Sequence, residues 1–155
     1  MAEKEPKDWM NEALAEAETA YKLGEVPVGA VVVYEDRIIA RAHNEVEVGT
    51  DATLHAEILA LRRASAALGK WRLTGASLYV TLEPCPMCIG AILLSRVSKL
   101  FFGCYDPRLG AVGSLFDLSQ NPALSHKLEV FPELCPEPSS LLLRNFFVGS
   151  RVGRD

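Results

Sequence analysis

Four side chains of this 155-residue chain have the types and spacing for metal-assisted hydrolysis. They stand in two short segments, His55-Ala56-Glu57 and Pro84-Cys85-Pro86-Met87-Cys88. The first offers an imidazole and a carboxylate, the second two thiols. One histidine and two cysteines give a zinc ion three ligands and leave a fourth position open. That is the donor set of a catalytic site, since a structural site closes all four. Zinc held there brings the pKa of water toward about 7. Glu57 is not needed as a ligand, so it is available to carry protons as general acid and base.

These side chains must be brought together by local structure. Cys85 and Cys88 are three apart and share a face if the segment is helical. Pro86 suits the first helical position, which puts Cys85 at the N-cap. The dipole and free N–H groups at that end favour thiolates. His55 and Glu57 are two apart, and on a regular helix such residues point to different sides. They serve one centre only at the start of a helix, with the metal above its end. Glu83, beside the cysteine segment, lacks this placement and reads as a structural carboxylate holding a loop. A thioredoxin-like use of Cys85 and Cys88 is the plain rival, and it leaves His55 and Glu57 unexplained.

The rest of the chain alternates strands and helices. Helices are expected from Asp8 (as N-cap) to Leu23, from near Leu54 to Gly69, from Cys85 to about Ser95, and over Ser139–Val148. Strands are expected over Pro27–Tyr34, Arg37–Ala42, Ser77–Thr81, Ser98–Gly103 and Lys127–Phe131. The segments His43–Thr53 and Cys104–Gln120 read as loops, the second with room for a short helical turn. The order predicts an α/β fold, a three-layer α/β/α sandwich around a mixed five-stranded sheet. The first strands are antiparallel and the later ones parallel. Residues 1–155 form a single domain in this reading, without repeats or linkers.

Composition sets further bounds. The charged start predicts no signal peptide, and no apolar run reaches the length of a membrane span, so a cytoplasmic protein is expected. Net charge is −4. Residues 1–57 hold 5 basic and 13 acidic side chains, and residues 58–155 hold 11 and 7. The acidic excess, at Glu3, Glu5, Asp8, Glu12, Glu16, Glu18 and Glu25, reads as a solvated helix face. The later chain can build a local basic face instead. Cys104 reads as a small buried hydrophobe, Cys135 as unreactive and His126 as a surface residue. His43 is either close to the substrate or on a surface loop. The segment 86–95 is apolar nearly all round, as for a helix buried in a core or at a subunit contact.

H-x-E followed by P-C-x-x-C is the signature of zinc deaminases of nucleobases. The resemblance is narrower than that. EVPVGAVVV (25–33), Asn44, LHAEILALRRA (54–64), LYVTLEPCPMCIGAI (78–92) and GCYDPRLGAVGSLFDL (103–118) resemble the bacterial tRNA-specific adenosine deaminases of the cytidine deaminase-like superfamily. The last segment separates them from guanine and pyrimidine deaminases. The likeness implies one zinc per chain on His55, Cys85 and Cys88, with Glu57 as the proton carrier. It implies a tRNA anticodon stem-loop as substrate, its wobble adenosine converted to inosine, and a homodimer. Asn44 is then expected to bond the flipped adenine, and Val28 and Gly29 to line the base pocket. Asp106 is expected at the flanking nucleotides and Arg108 at RNA phosphate, with the helix around Arg144-Asn145-Phe146-Phe147 beside the RNA. Two departures stand out: Asp51-Ala52-Thr53-Leu54 replaces the usual Asp-Pro-Thr-Ala, and the tail is short of cations beyond Arg144, Arg151 and Arg154. The alternative function is deamination of a free base or nucleoside such as guanine, cytosine or cytidine.

Overall fold

The computed structural model describes residues 3–124 and 126–152, the last three as backbone alone. Helix α1 (Pro6–Lys22) leads into the hairpin β1 (Gly29–Tyr34) and β2 (Arg37–His43). A short helix α2 (Val46–Gly49) and helix α3 (Ala56–Leu68) follow, then β3 (Ser77–Leu82), α4 (Pro86–Leu94) and β4 (Lys99–Cys104). A long loop reaches β5 (Glu129–Phe131), and α5 (Pro136–Val152) closes the order. The strands lie in the order β2-β1-β3-β4-β5. β1 runs antiparallel to both β2 and β3, whereas β3/β4 and β4/β5 are parallel.

Side-chain alternation along β1 explains the three layers. Ala30 and Val32 pack with Leu59, Ile89 and Ile92 of α3 and α4. Val31 and Val33 pack on the other side with Met10, Ala13 and Leu14 of α1. Each strand residue thus feeds one of two cores, as a period of two requires. On the α1 side, Tyr79, Phe101 and Phe131 stack across β3, β4 and β5 with centroids 4.4 and 4.5 Å apart. The closest approach is at Gly29. A Cβ there would collide with the backbone of Ala13 and Ala17, so only glycine lets α1 lie so near β1.

Several boundaries differ from the sequence reading. α1 starts at Pro6, and its N-cap is Glu5, tied to Asp8 in a capping box. Pro6 fills the first helical position, where its missing N–H costs nothing. The supposed loop 43–53 contains α2. α5 begins at Pro136 for the same reason as α1. β5 is limited to three residues, because its pairing with β4 begins at Lys99↔Glu129. The stretch after β4 forms no helix; it is held by the bridge Val112↔Asp117.

Candidate active site

Two helix starts meet where β3 ends. His55 is the N-cap of α3, with extended backbone (φ −74°, ψ 154°), and Cys85 is the N-cap of α4 (φ −77°, ψ 174°). Pro86 holds the first position of α4, and Cys88 follows in its first turn. This resolves the i, i+2 difficulty. His55 stands outside the helix, so its side chain is free of helical direction while Glu57 is buried in the first turn. His55 Nδ1 lies 3.6 Å from Cys85 Sγ and 3.5 Å from Cys88 Sγ. Two ligands of tetrahedral zinc, at ordinary Zn–N and Zn–S lengths, lie about 3.5 Å apart. The three donor atoms, all within 4.8 Å of one another, therefore fit the ion.

Electrostatics favour the same ion. Without metal the donors share protons. Hydrogen bonding with Cys88 draws the Cys85 thiol down to about 4. The same pairing and burial push Cys88 up. Hydrogen bonding with Cys85 raises His55. A divalent cation replaces those protons, and two thiolates with a neutral imidazole balance its charge. Both helix dipoles point their positive ends at the thiolates. Glu57 is raised to about 7, chiefly because burial disfavours its charge.

Above the donors opens a cavity of about 1170 Å³. Its lining includes His55, Cys85, Glu57, Asn44, Val28, Asp106, Arg108 and Arg144. Asn44 is buried just behind β2, where its N–H donates to the Val28 carbonyl at 3.1 Å. Gly29 does not border this cavity: its open side faces α1, and its N–H donates to Thr81 Oγ1 at 3.1 Å. The side chain of Arg151, and Arg154 altogether, lie outside the described residues.

Two buried carboxylates hold the cavity walls. Glu83 accepts the N–H of Asp106 (2.8 Å), Val112 (2.9 Å) and Ser114 (3.0 Å), and the Ser114 hydroxyl. It pins the loop that carries Asp106 and Arg108, as its structural reading requires. Gly110 sits against this carboxylate, with no room for a Cβ. Glu25 is the surprise. Expected on a solvated acidic face, it is 1% exposed and accepts the N–H of Glu47 (3.0 Å) and Val48 (2.7 Å). It anchors α2, which runs between Asn44 and His55. The available signal was its place after the helix-ending Gly24 and directly before an apolar strand.

The remaining expectations also meet the structure. Glu12 and Glu16 of α1 pair with Arg41 and His43 of β2, both at 3.0 Å. His43 is thereby turned to α1 and does not border the cavity. His126 is not a free surface residue, since Nε2 lies 2.6 Å from the Val97 carbonyl. Cys104 is only half-buried and borders the cavity; burial pushes its thiol up to about 11, so it stays protonated.

Fold and site together define a deaminase of the cytidine deaminase-like class, and the comparisons agree. The profile of the MafB19-like deaminases matches residues 4–130. The tRNA-specific adenosine deaminase of Bacillus subtilis (strain 168) is 50% identical over 139 residues, 90% of this chain and 86% of its own. A solved tRNA:A34 deaminase, studied for A-to-I editing at the wobble position, superposes with a TM-score of 0.85 at 44% identity, covering 88% of this chain and 99% of that one. A solved guanine deaminase from Nitrosomonas europaea is more distant, with a TM-score of 0.78 at 28% identity over 93% of this chain and 85% of its own. The chain belongs to the tRNA-specific adenosine deaminase family. No helix among the described residues is long and apolar enough to cross a membrane.

Proposed function

We propose that this protein, acting as one deaminase domain in the cytoplasm, hydrolyses the wobble adenosine of a tRNA anticodon to inosine and ammonia. The observation that carries the reading is the site's own geometry. His55, Cys85 and the buried Glu57 line a cavity of about 1170 Å³, with Cys88 completing the three-donor cluster behind them, and that cavity is larger than the roughly 300–1,000 Å³ that serves most small ligands. That leaves room for nucleotides on either side of a flipped base.

His55, Cys85 and Cys88 would hold one zinc, which when bound supplies the acidity that makes water a nucleophile at neutral pH. Glu57 would take one proton from the attacking water and pass it to the ring nitrogen, then take the second from the added hydroxyl and pass it to the departing amine. The amino group leaves as ammonia and the water oxygen stays on the ring as the inosine carbonyl. Asn44 holds the base edge through its amide, and Val28 forms part of the wall against the ring. Asp106 and Arg108 meet the flanking nucleotides, Arg108 at phosphate. Gly29 serves from behind, by letting α1 support the start of β1, directly after Val28.

The working form is a homodimer. α4 turns Ile89, Ile92 and Leu93 into the core but leaves Leu94 71% exposed, with Met87 at the same surface. An adjoining shallow groove between α3 and α4 is lined by Ile58, Leu61 and Ala91 together with Arg62, Ser65 and Ser95, so Leu94 and Met87 sit beside an apolar strip with a polar rim. An apolar surface of this kind suits a second copy.

The test is direct. The zinc-loaded protein is incubated with an anticodon stem-loop and, separately, with adenosine, cytidine and guanine, and products are read by mass spectrometry. Inosine in the stem-loop, with poor turnover of the free compounds, is expected. Efficient deamination of guanine or cytidine with none on the stem-loop would establish the small-molecule alternative.

A further inference from the structure

Arg108 is not a loose surface cation. Its guanidinium carbon lies 4.6 Å from the centre of the Phe147 ring, and both residues border the cavity. Phe147 is itself braced. Phe146 meets it edge-on at 5.4 Å, and Tyr21 meets Phe146 edge-on at 6.2 Å. Three rings thus run from the end of α1 across α5 and finish on Arg108. The backbone below is fixed as well. The Arg108 N–H donates to Asp106 Oδ1 at 3.0 Å, and the Asp106 N–H donates to the buried Glu83 carboxylate at 2.8 Å.

Among the described residues, no carboxylate forms an ion pair with Arg108; the pairs found involve Lys7, Arg41, His43 and Arg63. The guanidinium therefore lies over a ring, and its N–H groups, taken up by no ion pair, remain for an outside acceptor. An arginine taken up from solvent gives up rotamer freedom when it binds a phosphate. An aromatic ring under the guanidinium removes part of that loss beforehand and sets the plane of the fork.

We infer that Phe147 is a positioning residue for substrate phosphate, acting through Arg108. It holds the guanidinium at the cavity mouth, ready for the backbone beside the flipped base. This rests on the RNA reading above, and its test separates the two.

The zinc-loaded full-length chain is assayed on a fluorescein-labelled anticodon stem-loop, with Kd from anisotropy and KM and kcat from inosine formation. F147L keeps apolar bulk but removes the ring; F147W restores a ring. A stacked cation at an exposed site predicts that F147L raises Kd and KM about two- to five-fold while kcat changes less than twofold. F147W stays near wild type. R108A weakens binding more, and adding F147L to R108A changes nothing further. The inference is overturned if F147L binds like wild type. It is also overturned if F147L and F147W are equally impaired, which means packing alone. A full F147L effect in the R108A background overturns it too, because Phe147 then touches RNA itself. Absence of inosine in the wild type would count against the proposed reaction, whereas the Kd series judges Phe147 independently.

Discussion

Replacing Glu83 by glutamine leaves its shape almost unchanged but removes an acceptor from a site where all four neighbouring groups donate. In the wild type one carboxylate serves three backbone N–H groups and one hydroxyl. In E83Q the amide nitrogen must replace one oxygen. Its better choice is the oxygen shared by Asp106 and Ser114, because the Ser114 hydroxyl can rotate to accept. The Asp106 N–H then loses its partner, at about 1–3 kcal/mol. The bonds from Val112 and Ser114 persist without charge assistance, each weaker by about 1 kcal/mol. The total is roughly 3–5 kcal/mol, a large part of the about 5–15 kcal/mol that a domain usually has. For a chain of this length that corresponds to a drop of about 10 °C in Tm. Urea and thermal unfolding of the zinc-loaded proteins measure it. The donors at residues 55, 85 and 88 are untouched, so zinc content should stay at the wild-type level while KM for the stem-loop rises. A stability change below about 1 kcal/mol, or loss of zinc, would refute the account of Glu83 as the anchor of this loop. G110A is the companion variant: its Cβ displaces the same carboxylate, so it should lower Tm similarly and add little to E83Q.

Other predictions concern the centre and the assembly. C88A should lose zinc by metal analysis, and full occupancy would exclude Cys88 from the ligand set. E57A should keep both zinc and fold but lose nearly all turnover, since only proton transfer is removed. In the metal-stripped protein, Glu57 is raised from 4.5 to about 7 by burial. Between those pH values the folded chain keeps a proton that the unfolded chain has released. Its contribution is therefore complete below pH 4.5 and lost as pH rises through 7. Relative to E57Q, the wild type should lose roughly 3 kcal/mol over that window in urea titrations; parallel curves would contradict the burial argument. L94E should turn a dimer into a monomer by light scattering, and a wild-type monomer mass would dismiss the dimer.

Much of this was legible in the sequence, for physical reasons that differ by residue. His55, Glu57, Cys85 and Cys88 announce themselves because metal chemistry restricts both type and spacing. The helices and strands follow from periodicity, and Pro86 even marks which cysteine caps α4. What was hidden depends on partners distant in the chain. Glu25 looks like its acidic neighbours until α2 presents two N–H groups to it. Arg108 looks like a free cation until α5 lays Phe147 beneath it. His43 looks like a loop histidine until Glu16 of α1 arrives at the edge strand. Burial of a charge and stacking of a cation are tertiary facts, and no local pattern encodes them.

The contact of Gly29 with α1 also bears on how this pocket can evolve. Positions 28 and 29 are neighbours with opposite tolerance. At 29 any side chain meets the main chain of α1, which cannot yield without moving a whole helix. At 28 the valine faces the cavity, so exchange among apolar residues resizes the pocket by about a methylene at a time without disturbing the layer behind. Variation in base preference therefore has its freedom at position 28, one residue away from a position where drift is closed. A library that randomises both will recover diversity only at the first.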